Sequence, residues 1–104
     1  MRKKSIERKA KIIIPELIKW ANSGADVVVD RFVSCKLLNS FNLIMPVING
    51  AFEFEILGEN GESIALNFED MKKLELKENV CCINLKDNKR AWIYIKWSLC
   101  QGHI

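Results

Sequence analysis

Phe52, Phe54 and Ile56 alternate with Glu53 and Glu55, and Ile64, Leu66 and Phe68 alternate with Ala65 and Asn67. This period of two, more than any other feature, limits what the chain can fold into. Successive side chains of a strand point to opposite faces, so each run builds one apolar face and one polar face. Between the runs lies Gly58-Glu59-Asn60-Gly61, whose Asn-Gly pair favours a tight hairpin. A second hairpin follows. Val80 to Leu85 and Ala91 to Trp97 read as strands on either side of Lys86-Asp87-Asn88-Lys89. Between the hairpins, Glu69 to Lys73 reads as one helical turn before a short strand from Leu74 to Leu76.

The first quarter of the chain has a different period. Ile6, Ala10, Ile13, Leu17 and Ala21 recur at three- and four-residue steps, which is helical spacing. Ser5 reads as the N-cap and Gly24 as the stop. Pro15 falls inside this segment, where it deletes a backbone hydrogen bond and crowds the preceding turn. The expected helix therefore runs from about residue 4 to 22 and is kinked or broken at Pro15. Residues 25–45 fit two readings. Val27, Val28, Val29 and Val33 favour a strand, whereas Val28, Phe32, Cys35 and Leu38 fit a helical stripe capped by Asp26; the strand is preferred. The sum is an α+β domain, an N-terminal kinked helix on a mostly antiparallel sheet of about five strands, or a small barrel with the same helix. At 104 residues the chain is expected to be a single domain, with a basic helical segment at 1–24 and a β-rich core at 25–100.

The net charge of +3 is unevenly spread. Residues 1–20 carry seven bases and two acids, and the remainder nine bases and eleven acids. Lys3, Lys4, Arg8, Lys9 and Lys11 thus form a local basic patch, able to attract nucleic acid or an acidic protein or to serve as a solvated helix face. No apolar run approaches the roughly 20 residues of a membrane span. Glu16 and Lys19 interrupt what would be the apolar centre of a secretory signal. These features point to a soluble, cytoplasmic protein without a membrane partner.

Catalytic and metal motifs are scarce. The sequence contains no HExxH, GxSxG, GxGxxG or Walker-type loop. Its one histidine, His103, is the next-to-last residue of the sequence, a poor place to hold a catalytic base. Glu53 and Glu55 share a strand face, where like charge can raise a carboxyl pKa, but an exposed strand face explains them equally. Cys100-Gln-Gly-His103 has the gap of a metal half-site, to which Cys81 or Cys82 could add a ligand. Those two point to opposite faces of a strand, so at most one can join. With Cys35, these thiols read instead as reduced core cysteines, and no metal, cofactor or catalytic residue is assigned.

The run Lys89 to Trp97 raises the functional question. One strand face is Arg90, Trp92, Tyr94 and Lys96; the other is Ala91, Ile93, Ile95 and Trp97. Over Arg90 to Trp97 the run resembles the first signature of RNA-recognition motifs, with a basic residue, a small residue and alternating aromatics. That resemblance implies base stacking on the sheet. Ala91 stands where the family has glycine and no companion motif occurs on an earlier strand, so the chain is not assigned to it. Two expectations compete for this face. In one it is covered, with Trp92 and Tyr94 packed under Ile13 and Leu17. In the other, Arg90, Trp92, Tyr94 and Lys96 form a contact surface for another protein or for a second copy of the chain, since Trp, Tyr and Arg are common interface anchors. The preferred function is therefore a non-catalytic protein-interaction module of the inhibitor, immunity, adaptor or regulator kind, self-association included. The alternative is a single-stranded nucleic-acid binder with the basic helix on phosphates and the aromatic strand under bases. Glu53 and Glu55 oppose it if the first hairpin lies beside the last strand.

Overall fold

The structure is a computed structural model and describes residues 2–49 and 53–96. Helix α1, Arg2–Ala21, is followed by seven strands: β1 Asp26–Val33, β2 Lys36–Asn49, β3 Glu53–Gly58, β4 Ser63–Asn67, β5 Met71–Leu76, β6 Val80–Leu85 and β7 Lys89–Lys96. All pairings are antiparallel and the order across the sheet is β4-β3-β2-β1-β7-β6-β5. The α+β class holds, but the sheet has seven strands rather than about five, and it is open rather than a barrel. The main difference lies in residues 26–49, where the segment read as a single strand forms a long hairpin of two. The fold also differs from that of RNA-recognition motifs, which interleave two helices with four strands.

The sheet is two meanders joined along one seam. β1 to β4 pair in chain order, as do β5 to β7, and β1 meets β7 in an uninterrupted register from Asp26↔Lys96 to Val33↔Lys89. β4 and β5 are the two edges, yet only a single 3-10 turn, Phe68–Asp70, separates them in the chain. Asn67 caps that turn by accepting the Glu69 amide at 2.9 Å on its Oδ1, and Phe68 is buried. Edges tied so closely require the sheet to curl.

β2 makes the bend. Its first half pairs with β1, ending at Asn42↔Val28, and its second half pairs with β3, beginning at Leu43↔Gly58 with a bulge before Met45. Bulged strands that change partner are how sheets turn corners. The same switch accommodates Pro46, which sits opposite Ile56 where β2 has only one partner strand and so lacks no ladder donor on its free side. Gly58 is needed at the corner, because a Cβ there would stand 2.6 Å from both Phe41 Cδ2 and Glu62 Oε1.

Helix α1 lies in the concave face. It contacts β2, β1, the 3-10 turn and the edge strand β5. In a flat sheet β2 and β5 would stand about 19 Å apart at ~4.8 Å per strand. A helix of ~10 Å diameter reaches both only because the sheet wraps round it. Ala10, Ile13, Ile14, Leu17 and Trp20 pack with Val27, Val29, Phe54, Ile56, Leu66, Leu74, Ile83 and Ile93 in one core. The expected stripe Ala10-Ile13-Leu17 is therefore the buried one; the side chain of Ile6 lies outside the described residues. The helix runs unbroken across Pro15, so of the two expected outcomes, a kink or a break, the break does not occur. The ring is exposed, as is Lys11, whose carbonyl the proline leaves without its helical donor. Helix α1 begins at Arg2, so Ser5 is interior rather than a cap. Gly24 follows the helix at φ +87°, the left-handed conformation a stop requires. Among the described residues no helix is long and apolar enough to cross a membrane.

Candidate functional site

With α1 on the concave face, no helix among the described residues covers the other face of the central strands. On β7, Ala91 and Ile93 point into the core, and Arg90, Trp92, Tyr94 and Lys96 point out. Trp92 is 39 % exposed although its strand is in mid-sheet. The expectation that Trp92 and Tyr94 pack under Ile13 and Leu17 is overturned, because the helix covers the opposite side of the same strand. The period of two was read correctly; which face meets the helix is decided by tertiary packing.

Neighbouring strands complete the convex face. On β1, Asp26, Val28, Asp30 and Phe32 stand opposite Lys96, Tyr94, Trp92 and Arg90. On β6, Val80, Cys82 and Asn84 stand opposite Tyr94, Trp92 and Arg90. Tyr94 Oη donates to Asp30 Oδ2 at 3.0 Å, and Ser40 Oγ donates to Asp30 Oδ1 at 2.5 Å. Partial burial, the bond to Asp30 and that carboxylate's charge together raise the Tyr94 pKa. The phenol is thus a held donor rather than an acid. Arg90 Nε donates to Asn84 Oδ1 at 3.1 Å. The rings of Phe32 and Trp92 lie 5.8 Å apart at 59°, a tilted contact.

Beside the aromatic pair is a hollow of about 610 Å³ lined by Phe32, Ser34, Cys35, Asn84, Asn88, Lys89, Arg90 and Trp92. Two hairpin turns form its wall. Ser34 and Cys35 (φ +51° and +68°) connect β1 to β2, and Asp87 and Asn88 (φ +62° and +58°) connect β6 to β7. The Ser34 amide donates to the Asn88 carbonyl at 2.9 Å and locks the turns together. Among the described residues the lining carries two cations and no carboxylate.

The four β7 residues share a face but not one spot. Lys96 is six residues from Arg90, about 20 Å along a strand, and pairs across the sheet with Asp26. The basic patch is separate. Arg8 and Lys11 are exposed on α1, across the sheet from Trp92; the side chains of Lys3, Lys4 and Lys9 lie outside the described residues. Glu53 and Glu55 are on β3, separated from β7 by β2 and β1, so they do not adjoin Trp92. Ser63 Oγ donates to Glu55 Oε2 at 2.7 Å. Cys81 is buried and Cys82 partly exposed on the opposite face, as the alternation requires. Trp97, Cys100 and His103 lie outside the described residues, among which no group of three or more metal-ligating side chains occurs.

Phe32, Asn84, Lys89 and Cys35 were not foreseen as site residues. Phe32 stands at period two from Val28 and Asp30, a signal obscured because the same segment also fits a helical stripe. The other three sit in or beside turns and acquire their position from the seam. Comparison with protein families, with curated proteins and with solved structures finds no match.

Proposed function

We propose that this chain is a non-catalytic binding module and that the convex face around Trp92 is its contact surface for another protein, a second copy included. The observation that carries this reading is Trp92 itself, exposed in mid-sheet beside the Phe32–Arg90 pair. A large aromatic left in water beside a guanidinium gains most when a partner buries it, and Trp and Arg dominate the energetics of such contacts. Asp30 and Asn84 fix Tyr94 and Arg90 beforehand, which lowers the ordering cost of association.

The nucleic-acid reading fits less well. It needs the basic helix and the aromatic strand on one surface, and they occupy opposite faces of the sheet. Asp26, Asp30 and Glu75 also share the convex face, by their pairing with Lys96, Trp92 and Cys82. The objection from Glu53 and Glu55 lapses, since β3 is remote from β7.

A photo-crosslinking residue placed at position 92, with one at exposed Lys72 on edge strand β5 as control, tests the proposal in the native host. A discrete protein adduct at 92 and none at 72 is the expected result. Adducts equal at both positions, or absent at 92, would remove the convex face as the contact.

A further inference from the structure

We propose that the hollow beside Trp92 takes an aromatic side chain from an acidic segment of the partner, with neighbouring carboxylates on Arg90 and Lys89. The inference rests on the reading of the convex face as a protein contact and names the chemistry that the face selects. Three observations carry it. First, the floor is apolar and aromatic: Phe32 and Trp92 already meet in a tilted contact, an arrangement to which a third ring adds edge-to-face. Second, the charge is of one sign. Lys89 and Arg90 line the hollow and no acid does. Asp87, in the adjoining turn, is the acid nearest in sequence. Arg90 spends Nε on Asn84, which aims the guanidinium while its terminal nitrogens retain the fork that suits a carboxylate. Third, the anionic footprint is short. Asp30 stands directly opposite Trp92 on the side away from the turns, so a polyanion laid along the strands would cross a carboxylate within one residue pair of the hollow. A ring with a few flanking carboxylates satisfies both ends; a run of phosphates does not. At about 610 Å³ the hollow is within the range of well-formed binding pockets.

The test is selection of a random 12-residue peptide library against the full chain. Recovered peptides are then measured by fluorescence anisotropy on the wild type, on Trp92→Ala and on the double variant Lys89→Glu/Arg90→Glu, with the oligonucleotide dT12 as competitor. The expected peptides carry an aromatic residue with two or more Asp or Glu nearby. They should lose about tenfold or more in affinity on either variant, weaken with added salt and resist displacement by dT12. Alkylation of Cys35, confirmed by mass spectrometry, should block the hollow without touching the sheet and reduce binding similarly. This provides a readout even if Trp92→Ala fails to fold. Peptides that need Trp92 yet lack acids, or ignore the charge reversal, would overturn the acidic class and leave the contact face standing. Peptides indifferent to both Trp92→Ala and Cys35 alkylation, or no recovered peptide, would overturn both. Tighter binding by dT12 than by any peptide would assign the hollow to nucleic acid instead.

Discussion

Adjacent residues of one strand illustrate how much a single side chain's environment decides. Cys81 and Cys82 are chemically identical, but Cys81 faces the core. Burial first, and the neighbouring Cys82 second, push its thiol up from 9.0 to about 12. The protonated form is therefore favoured by the fold. Its stabilising contribution is complete below pH 9 and is lost as pH rises from 9 towards 12, by an amount of the order of a few kcal/mol. Chemical denaturation at intervals between pH 8 and 12 is expected to show a steep alkaline loss that Cys81→Ala makes shallower; an unchanged slope would refute the assignment. In iodoacetamide at pH 8, exposed Cys35 should be modified at once and Cys81 only after denaturation. The opposite orientations of Cys81 and Cys82, like those of Trp92 and Ile93, were legible from strand period alone. Which of the two faces is dry was not legible, because that depends on a helix about seventy residues away in the chain.

Among the elements, the turns separate what sequence makes plain from what it conceals. Asn60-Gly61 and Asp87-Asn88 announce hairpins, since Gly, Asn and Asp tolerate positive φ. Ser34-Cys35 adopts the same left-handed geometry with residues that ordinarily avoid it, so the β1–β2 hairpin carries no turn signal and its two strands read as one. Replacing Cys35 with Gly should relieve a strain of about 1 kcal/mol. For a domain of this size that corresponds to a rise in Tm of roughly 4 °C, readable by calorimetry; a fall would show that the turn is unstrained. Pro46 lies in the same region. A proline argues against a central strand, and β2 tolerates it only because the strand has already parted from β1.

Across the whole molecule, the helix and the curl depend on each other. Leu17 is fully buried where the concave sheet closes on α1, whereas Ile12, five residues earlier, is 65 % exposed. Leu17→Ala is expected to cost about 2–5 kcal/mol and Ile12→Ala within about 0.5 kcal/mol, as read from urea unfolding. Equal effects would mean that the helix is not seated as described. That a helix would cover a sheet was legible in the spacing of Ala10, Ile13 and Leu17. That the sheet would remain open was not, since closure turns on whether β4 reaches β5, and no local pattern encodes that.

Three of the contacts that shape the convex face cross the seam: Phe32 with Trp92, Tyr94 with Asp30, and the Ser34 amide with the Asn88 carbonyl. Neither meander possesses the surface by itself. During synthesis the first four strands can emerge and zip before Trp92 is available to complete the proposed contact surface. Only when residues 89–96 leave the ribosome and find β1 can the two aromatic rings come together, so under the proposed function recognition would wait for the seam between the meanders to close.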